Sequence, residues 1–403
     1  MVINQNVIRE LQTTYGEAFY ILDSAQFRKN FTELKDAFAK IYPNANIAYS
    51  YKTNYTPKLC KIVDALGGYA EVVSEMELEI ARRIGCKPER TIWNGPVKNV
   101  AVMEQFLVDG GTVNIDSCEE LEHIRQIHER HKETPIHVGI RCNYDVGDGV
   151  LSRFGFDVYG DDFNSVVAYV TNTDNVKLTN FQCHFAKRQI EYWPARVKGM
   201  IDLIDGLGVI PERIDIGGGL FGKMAPCLKA QLGAEIPDYE AYAKVAATMF
   251  ADYFEGKDIK PELLIEPGSA LVGDCMKFVC TVKTIKNVRG KWIATVLGSQ
   301  KNISMTGINP PIEVIAMGEP QREYKGIDFV GFTCIEGDVL YHDYAGMLAH
   351  QDVIVISNCG SYSVVMKPPF ILPNFPVLDI SEGHVEVIKR GESFDDLFRT
   401  FEF

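Results

Sequence analysis

From Asn46 to Gly268 the chain alternates short runs of β-branched and aromatic residues with longer amphipathic stretches, one repeat about every 25 to 30 residues. The strand-like runs are NIAYSY from Asn46, YAEVV from Tyr69, TIWN from Thr91, TVNID from Thr112, IHVGIRC from Ile136, KLTNFQCHF from Lys177, RIDIGG from Arg213 and ELLIEP from Glu262, eight in all. Between them lie helical patterns: TPKLCKIVDALGG, SEMELEIARRIG stopped by Gly85, CEELEHIRQIHER, and YEAYAKVAATMFADYFEG stopped by Gly256. Strands joined through helices pair in parallel. Eight such repeats predict an α/β chain with a closed (β/α)8 TIM barrel, whose chemistry gathers at the C-terminal ends of its strands. Beyond Gly268 the texture changes to alternating β runs with polar turns, such as VGDCMKFVCTVKTIKNVRGKWIATVL and QDVIVIS, which predicts a C-terminal all-β domain. The early run AFYILD, Ala18 to Asp23, precedes the first barrel helix and is expected to pair with that β domain. The expected organisation is therefore an N-terminal strand (1–25) joining the β domain, a barrel (26–268) and the C-terminal β domain (269–403).

Composition narrows the function classes. With 403 residues, 46% hydrophobic and 24% charged, the chain has enough apolar content to bury a core, which excludes a disordered protein. A net charge of −13 repels polyphosphate and anionic lipid, so neither nucleic acid nor a membrane is an expected partner. No basic leader with an apolar stretch and no spanning run is visible, so a cytoplasmic location is expected. Ten cysteines without a C-x-x-C pair predict reduced thiols and no metal site.

The strand ends carry polar groups that a packed barrel interior would not choose. Lys52 follows NIAYSY, where desolvation lowers an amine's pKa and makes it a Schiff-base nucleophile; by position alone, a solvated rim lysine is the commoner explanation. Gly217, Gly218 and Gly219 end the seventh run, where backbone N–H groups can converge on an anion, or simply form a tight turn. Glu266 ends the eighth run after apolar neighbours and needs a cationic partner or a proton. His184 ends the sixth run; a lone histidine is more often a packed core residue than a catalyst. Arg141 at the fifth run and Glu71 at the second, with Glu77 beyond it, extend the ring. An amine, an anion cradle, an acid and a flat ring together suit one phosphate-bearing aldehyde cofactor.

These residues, in order, carry a resemblance. YSYKTN, EVVSEMEL, SRFGF, CHFAKR, IDIGGG, IEPG, GFTCIEGDVL and NCGSY make the chain, from about Ala18 to Lys389, similar to the alanine-racemase-like, fold type III pyridoxal-phosphate (PLP) decarboxylases, which include ornithine, arginine and diaminopimelate decarboxylases. The resemblance implies that Lys52 carries PLP as a Schiff base, that His184 stacks on the pyridine and that Glu266 keeps its nitrogen protonated. Gly217 to Gly219 and Tyr362 would bind the phosphate. Cys334 would return a proton from the partner subunit of a homodimer with shared active sites, and Asp338 would pair with Arg153 across the interface. The expected activity is loss of the α-carboxylate from an amino-acid substrate. A PLP-dependent racemase or epimerase is the alternative, disfavoured because Glu266 builds the stronger electron sink.

Departures from the family pattern bear on phosphate and substrate. Ser269 stands where the family has an arginine, and Lys187 where it has a serine, so Lys187 or Arg188 is expected to meet the phosphate charge. The Arg-Pro-x-x-Tyr segment of diaminopimelate decarboxylases reads INPPIE here, with Asn309 and Glu313 at those places. Ile335 follows the cysteine, where relatives have an acid that grips a distal amine. A modified or conjugated amino acid, including one linked to a carrier protein, fits such a chain better. Lys367 in MKPPF is either a contact for a distal carboxylate or a solvated loop lysine.

Overall fold

The computed structural model describes residues 3–233, 235–304 and 307–402. Two compact units divide the chain, one of Arg28–Phe221 and Glu235–Ala270 and the other of Met1–Phe27, Gly222–Ala234 and Leu271–Phe403.

The first unit is a closed parallel barrel. Its strands are β1 (Ala45–Ser50), β2 (Tyr69–Val72), β3 (Thr91–Trp93), β4 (Thr112–Ile115), β5 (Ile136–Asn143), β6 (Val176–Gln182), β7 (Arg213–Asp215) and β8 (Glu262–Ile265). Neighbours pair in sequence order, and β8 returns to β1, with Leu263 opposite Ala45. All eight predicted runs are strands, yet most stop short of their predicted C-terminal ends. There the chain turns polar and the backbone leaves the ladder: Lys52 sits in a 3-10 turn, Tyr51–Thr53, and His184 lies beyond the end of β6.

The helices obey their caps. Ser74 accepts the Glu77 N–H to open the helix Glu75–Ile84, and Gly85 closes it at φ +89°, a left-handed conformation that costs glycine nothing. Glu77 in turn accepts the Val73 N–H at 2.7 Å, so it serves the helix start. Gly256 is not the stop expected of it: the helix Tyr239–Tyr253 ends at Phe254, and Gly256 follows at φ +71°.

The second unit is mostly sheet. The strand Ala18–Leu22 pairs antiparallel with Met276–Val288 and parallel with Val377–Asp379. All five of its residues are buried, because both sheet edges beside it are filled. A helix that the sequence reading did not anticipate, Gln5–Tyr15, is capped by Asn4 and sets Ile8 and Leu11 against Phe19, Ile21, Val279 and Val355 of the sheet. The segment 222–234 also clusters here; the Gln231 side chain donates to the Asn309 carbonyl and accepts the Asn309 N–H.

Candidate active site

The ends of the barrel strands bring acids, amides and one amine together. Lys52 lies past β1 with its side chain 35% exposed, and its Nζ donates to the fully buried Glu71 of β2 at 3.1 Å to Oε2 and 3.3 Å to Oε1. Burial alone would raise the Glu71 carboxyl, but Lys52, Ser50 and Asn94 outweigh it and hold the group below its ordinary value. Asn94, immediately after β3, donates from one Nδ2 to Glu71 Oε1 at 3.0 Å and to Glu266 Oε1 at 2.6 Å. Gln182 of β6 donates to Glu266 Oε2 at 3.0 Å. A chain of three contacts therefore joins the amine of Lys52 to the acid of Glu266.

The amide of Asn94 is fixed from behind. Its Oδ1 accepts from Asn114 at 2.7 Å, and Asn114 Oδ1 accepts from Asn180 at 3.1 Å, a ladder across the barrel interior. With its oxygen so occupied, Asn94 can present only its donor to the two carboxylates. Asp215 of β7 completes the acid group. Burial first and the neighbouring Glu266 second push its carboxyl well up. Its Oδ1 accepts the Gly217 N–H at 2.9 Å, and its buried Oδ2 receives no donor. Glu266 is pushed up to about 7 by burial and by Glu71, against the pull of Lys52, the Asp215 hydrogen bond and Arg141.

His184 Nδ1 accepts the Gly218 N–H at 3.0 Å, so that nitrogen carries no proton. Burial and the cations Lys52, Arg196, Arg141 and Arg188 hold the imidazole well below its usual range, leaving a neutral ring. Its 3.9 Å approach to Glu266 is therefore not an ion pair. Arg141 lies over the Phe154 ring, with Nη1 3.9 Å from Asp116 Oδ2.

The glycine turn is crowded enough to need glycine. A Cβ at Gly217 would meet the Cys183 carbonyl at 2.2 Å, and one at Gly218 the Glu266 carbonyl at 2.4 Å. The N–H groups of Gly219 and Leu220 donate to nothing among the described contacts, although Leu220 is 2% exposed. Among the described residues the ammonium of Lys187 has no partner, whereas its carbonyl accepts Arg196 Nη2 at 3.5 Å. Arg188, rather than Lys187, is the cation of that pair that bears on His184.

Two predicted site residues lie in the other unit. Cys334 is exposed in the loop that follows the strand Arg322–Val330. Asp338 pins that loop: it is 3% exposed and accepts from Ser299 Oγ, the Gln300 N–H and Thr333 Oγ1. Arg153, its expected partner, is exposed over Phe154. Tyr362 precedes the helical turn Ser363–Met366 at φ +57°. Lys367 is no solvated loop lysine: it is 8% exposed and donates to Asn374 Oδ1 at 2.8 Å.

Asn94, Asn114, Gln182, Asp215 and Arg196 were missed as site residues. Their signal is a polar residue on an inward-pointing strand position, or, for Arg196, a charge on the apolar face of a helix.

These groups suit pyridoxal phosphate: an amine for its aldehyde, a buried acid lacking a cation for its pyridine nitrogen, and a turn with two idle N–H groups for its phosphate. Known proteins agree. A diaminopimelate decarboxylase of Aquifex aeolicus is 25% identical over 96% of this chain and 92% of its own length. The solved diaminopimelate decarboxylase of M. jannaschii in co-complex with L-lysine superposes with a TM-score of 0.85 at 20% identity, over 98% of this chain and 94% of that one. The lysine/ornithine decarboxylase of Vibrio vulnificus, complexed with cadaverine, gives 0.75 at 15% identity, over 93% and 97%. Residues 25–273, more than half of the chain, match the pyridoxal binding domain of the pyridoxal-dependent decarboxylases, and the chain belongs to that family.

Proposed function

We propose that Lys52, His184, Glu266 and Cys334 carry the decarboxylation of an α-amino acid whose far end differs from that of diaminopimelate. The observation that supports it best is the contact chain Lys52–Glu71–Asn94–Glu266, which holds the amine and the acid in one side-chain cluster. The bound cofactor supplies an electron sink, taking up the pair released as CO2 leaves. Lys52 holds the cofactor at its aldehyde, with Glu71 fixing the amine. Glu266 gains a cationic partner when the pyridine nitrogen is protonated and then keeps that proton in place. Neutral His184 covers the flat ring face without adding a competing charge. Gly217 to Gly219 and Tyr362 receive the phosphate. Cys334 returns a proton to Cα in a homodimer that shares its active sites, and the enzyme works in the cytoplasm.

Ile335, Asn309 and Lys367 support the reading of the substrate. Ile335 is 50% exposed beside it and offers no charge to a distal ammonium, and Asn309 is engaged with Gln231 and with both backbone groups of His342. Lys367 spends its ammonium inside its own unit. An amino acid with a modified or conjugated far end, free or carrier-linked, fits these groups better than a free diamino acid. The test is CO2 release from a panel of amino acids. Parent protein should prefer neutral or conjugated far ends over diaminopimelate, ornithine and lysine by at least tenfold in kcat/KM, and Lys52→Ala should lose both the visible cofactor band and CO2 release. A preference for diaminopimelate would refute the substrate assignment, and a visible band intact in Lys52→Ala would refute the role of Lys52.

A further inference from the structure

Arg196 lies on the helix Trp193–Leu207 and is 0% exposed. Its Nη1 donates to the Gly218 carbonyl at 2.6 Å and the Ile216 carbonyl at 3.3 Å. Its Nη2 reaches the carbonyls of Phe185 at 3.4 Å and Lys187 at 3.5 Å. Trp193 stacks on the guanidinium at 4.4 Å. Among the described residues no carboxylate lies within 4 Å of it. Four carbonyl dipoles solvate the charge but do not cancel it, and a buried cation without a counter-charge is costly. An anion bound nearby would offset that cost.

The turn says where. A trans peptide sets each carbonyl opposite the N–H of the next residue, so a Gly218 carbonyl held toward Arg196 aims the Gly219 N–H away from it. Gly217 and Gly218 spend their N–H groups on Asp215 and His184, while those of Gly219 and Leu220 remain idle. The side chain is close behind: a Cβ at Gly219 would lie 3.5 Å from Arg196 Nη2. The Gly219 donor on one side of the turn, the unused Leu220 N–H next to it in sequence and an uncancelled guanidinium behind the turn define a seat for a doubly charged oxyanion.

We propose that Arg196 is the positioning residue for the cofactor's phosphate, aiming the Gly219 and Leu220 N–H groups at it and supplying behind the turn the positive charge that is absent at Ser269. The inference rests on the reading that this turn receives the phosphate. It moves that charge away from Lys187 and Arg188.

The test is selectivity, the ratio of the dissociation constants of phosphate-free pyridoxal and pyridoxal phosphate, measured by absorbance titration of the full-length apoprotein. Arg196→Met should weaken pyridoxal phosphate at least tenfold and leave pyridoxal within twofold. Arg196→Lys, which keeps the charge and some of the carbonyl contacts, should fall between. Phosphorus NMR of the bound cofactor should show a phosphate that stays dianionic in the parent and titrates in Arg196→Met. An unchanged ratio in folded Arg196→Met, or an equal loss of both ligands, overturns the proposal. If that variant does not fold, Arg196→Lys decides, and an unchanged ratio with an unchanged phosphorus titration is equally fatal. Gly219→Ala separates this proposal from the reading beneath it, since its Cβ would sit 3.1 Å from the Phe185 carbonyl at φ +82°. If Gly219→Ala shifts the ratio and the Arg196 variants do not, Arg196 alone is misassigned; if neither shifts it, the phosphate binds elsewhere.

Discussion

Replacing Glu266 by glutamine should make the cofactor-free barrel more stable at alkaline pH, even though it removes the acid on which the chemistry depends. The carboxyl of Glu266 is raised from 4.5 to about 7 in the folded protein. A folded acid with a raised pKa binds its proton more tightly than the unfolded chain does. The stability it contributes is thus fully present below pH 4.5 and is lost as the pH rises through about 7. Between pH 5 and pH 8 that loss amounts to about 2 to 3 kcal/mol, from the linkage of one proton at about 1.4 kcal/mol per pKa unit. Glutamine has no proton to lose. Any fixed difference in its hydrogen bonds with Asn94, Gln182 and Asp215 is the same at both pH values and cancels. The assay is urea unfolding of the apoprotein at pH 5 and pH 8 in a Trp292→Phe background, read by the fluorescence of Trp93 and Trp193, both fully buried in the barrel unit. Glu266→Gln should gain about 2 to 3 kcal/mol on its parent between the two pH values. Equal pH slopes in parent and variant would show that Glu266 does not hold a raised pKa, and the account of the acid cluster would fail with it.

Other substitutions test neighbouring contacts. Asn94→Leu leaves Glu71 and Glu266 each short of one donor and should cost about 2 to 4 kcal/mol in urea unfolding. It should also move the acid limb of the kcat/KM profile to higher pH, because a charge-stabilising N–H is removed from Glu266; an unmoved limb would count against the bridge. Lys98→Met strands the buried Glu120, whose two oxygens lie 2.8 and 2.9 Å from Lys98 Nζ, and should cost about 3 to 5 kcal/mol in the same measurement. Cys334→Ala should bind the cofactor as the parent does and lose turnover, and mixing it with Lys52→Ala should restore part of the activity through hybrid dimers. No recovery despite proven subunit exchange would argue against shared sites.

The strands of the barrel were legible because each is largely buried, rich in β-branched, aromatic and other apolar residues, and bounded by turn residues. Their ends were not, since a run such as RIDIGG keeps a strand-like composition past the point where glycine leaves the ladder, and β7 closes at Asp215. Lys52, Glu71, Glu266 and His184 could be singled out because a charged or basic group at a strand end is unusual chemistry for a barrel. Asn94 and Gln182 carry no charge, and a neutral amide looks like ordinary strand-end polarity until the structure shows which carboxylates it faces. The pair Asn180 and Gln182, two residues apart in VKLTNFQ, did hold a readable signal: same-face polar residues where the interior expects apolar ones. Arg196 lay on a helix, where one arginine among apolar residues resembles a surface position with a slightly wrong phase. Only the carbonyls of Ile216 and Gly218 reveal what it serves.

Three carboxyl groups of similar intrinsic acidity meet in one buried cluster, and their surroundings sort them into three states. Glu71, beside an ammonium, stays charged. Asp215, deep in the barrel with a carboxyl for a neighbour, is pushed toward its neutral form. Glu266 is poised between them near neutrality, so it is the member whose charge a new neighbour can change most cheaply. On the proposed reading, the cofactor's ring nitrogen would be such a neighbour, with the Glu266 carboxylate holding its proton. Asn94 keeps the choice unambiguous by donating to both glutamates at once, so neither can protonate without weakening a contact of the other's bridge. An aspartate at position 94 would add a fourth acid and no donor, and would drive Glu266 further toward its neutral form. The amide ladder from Asn180 through Asn114 to Asn94 is what prevents Asn94 from turning its oxygen toward the acids. Polar groups with no direct part in the chemistry thus fill the barrel where aliphatic side chains would pack more simply.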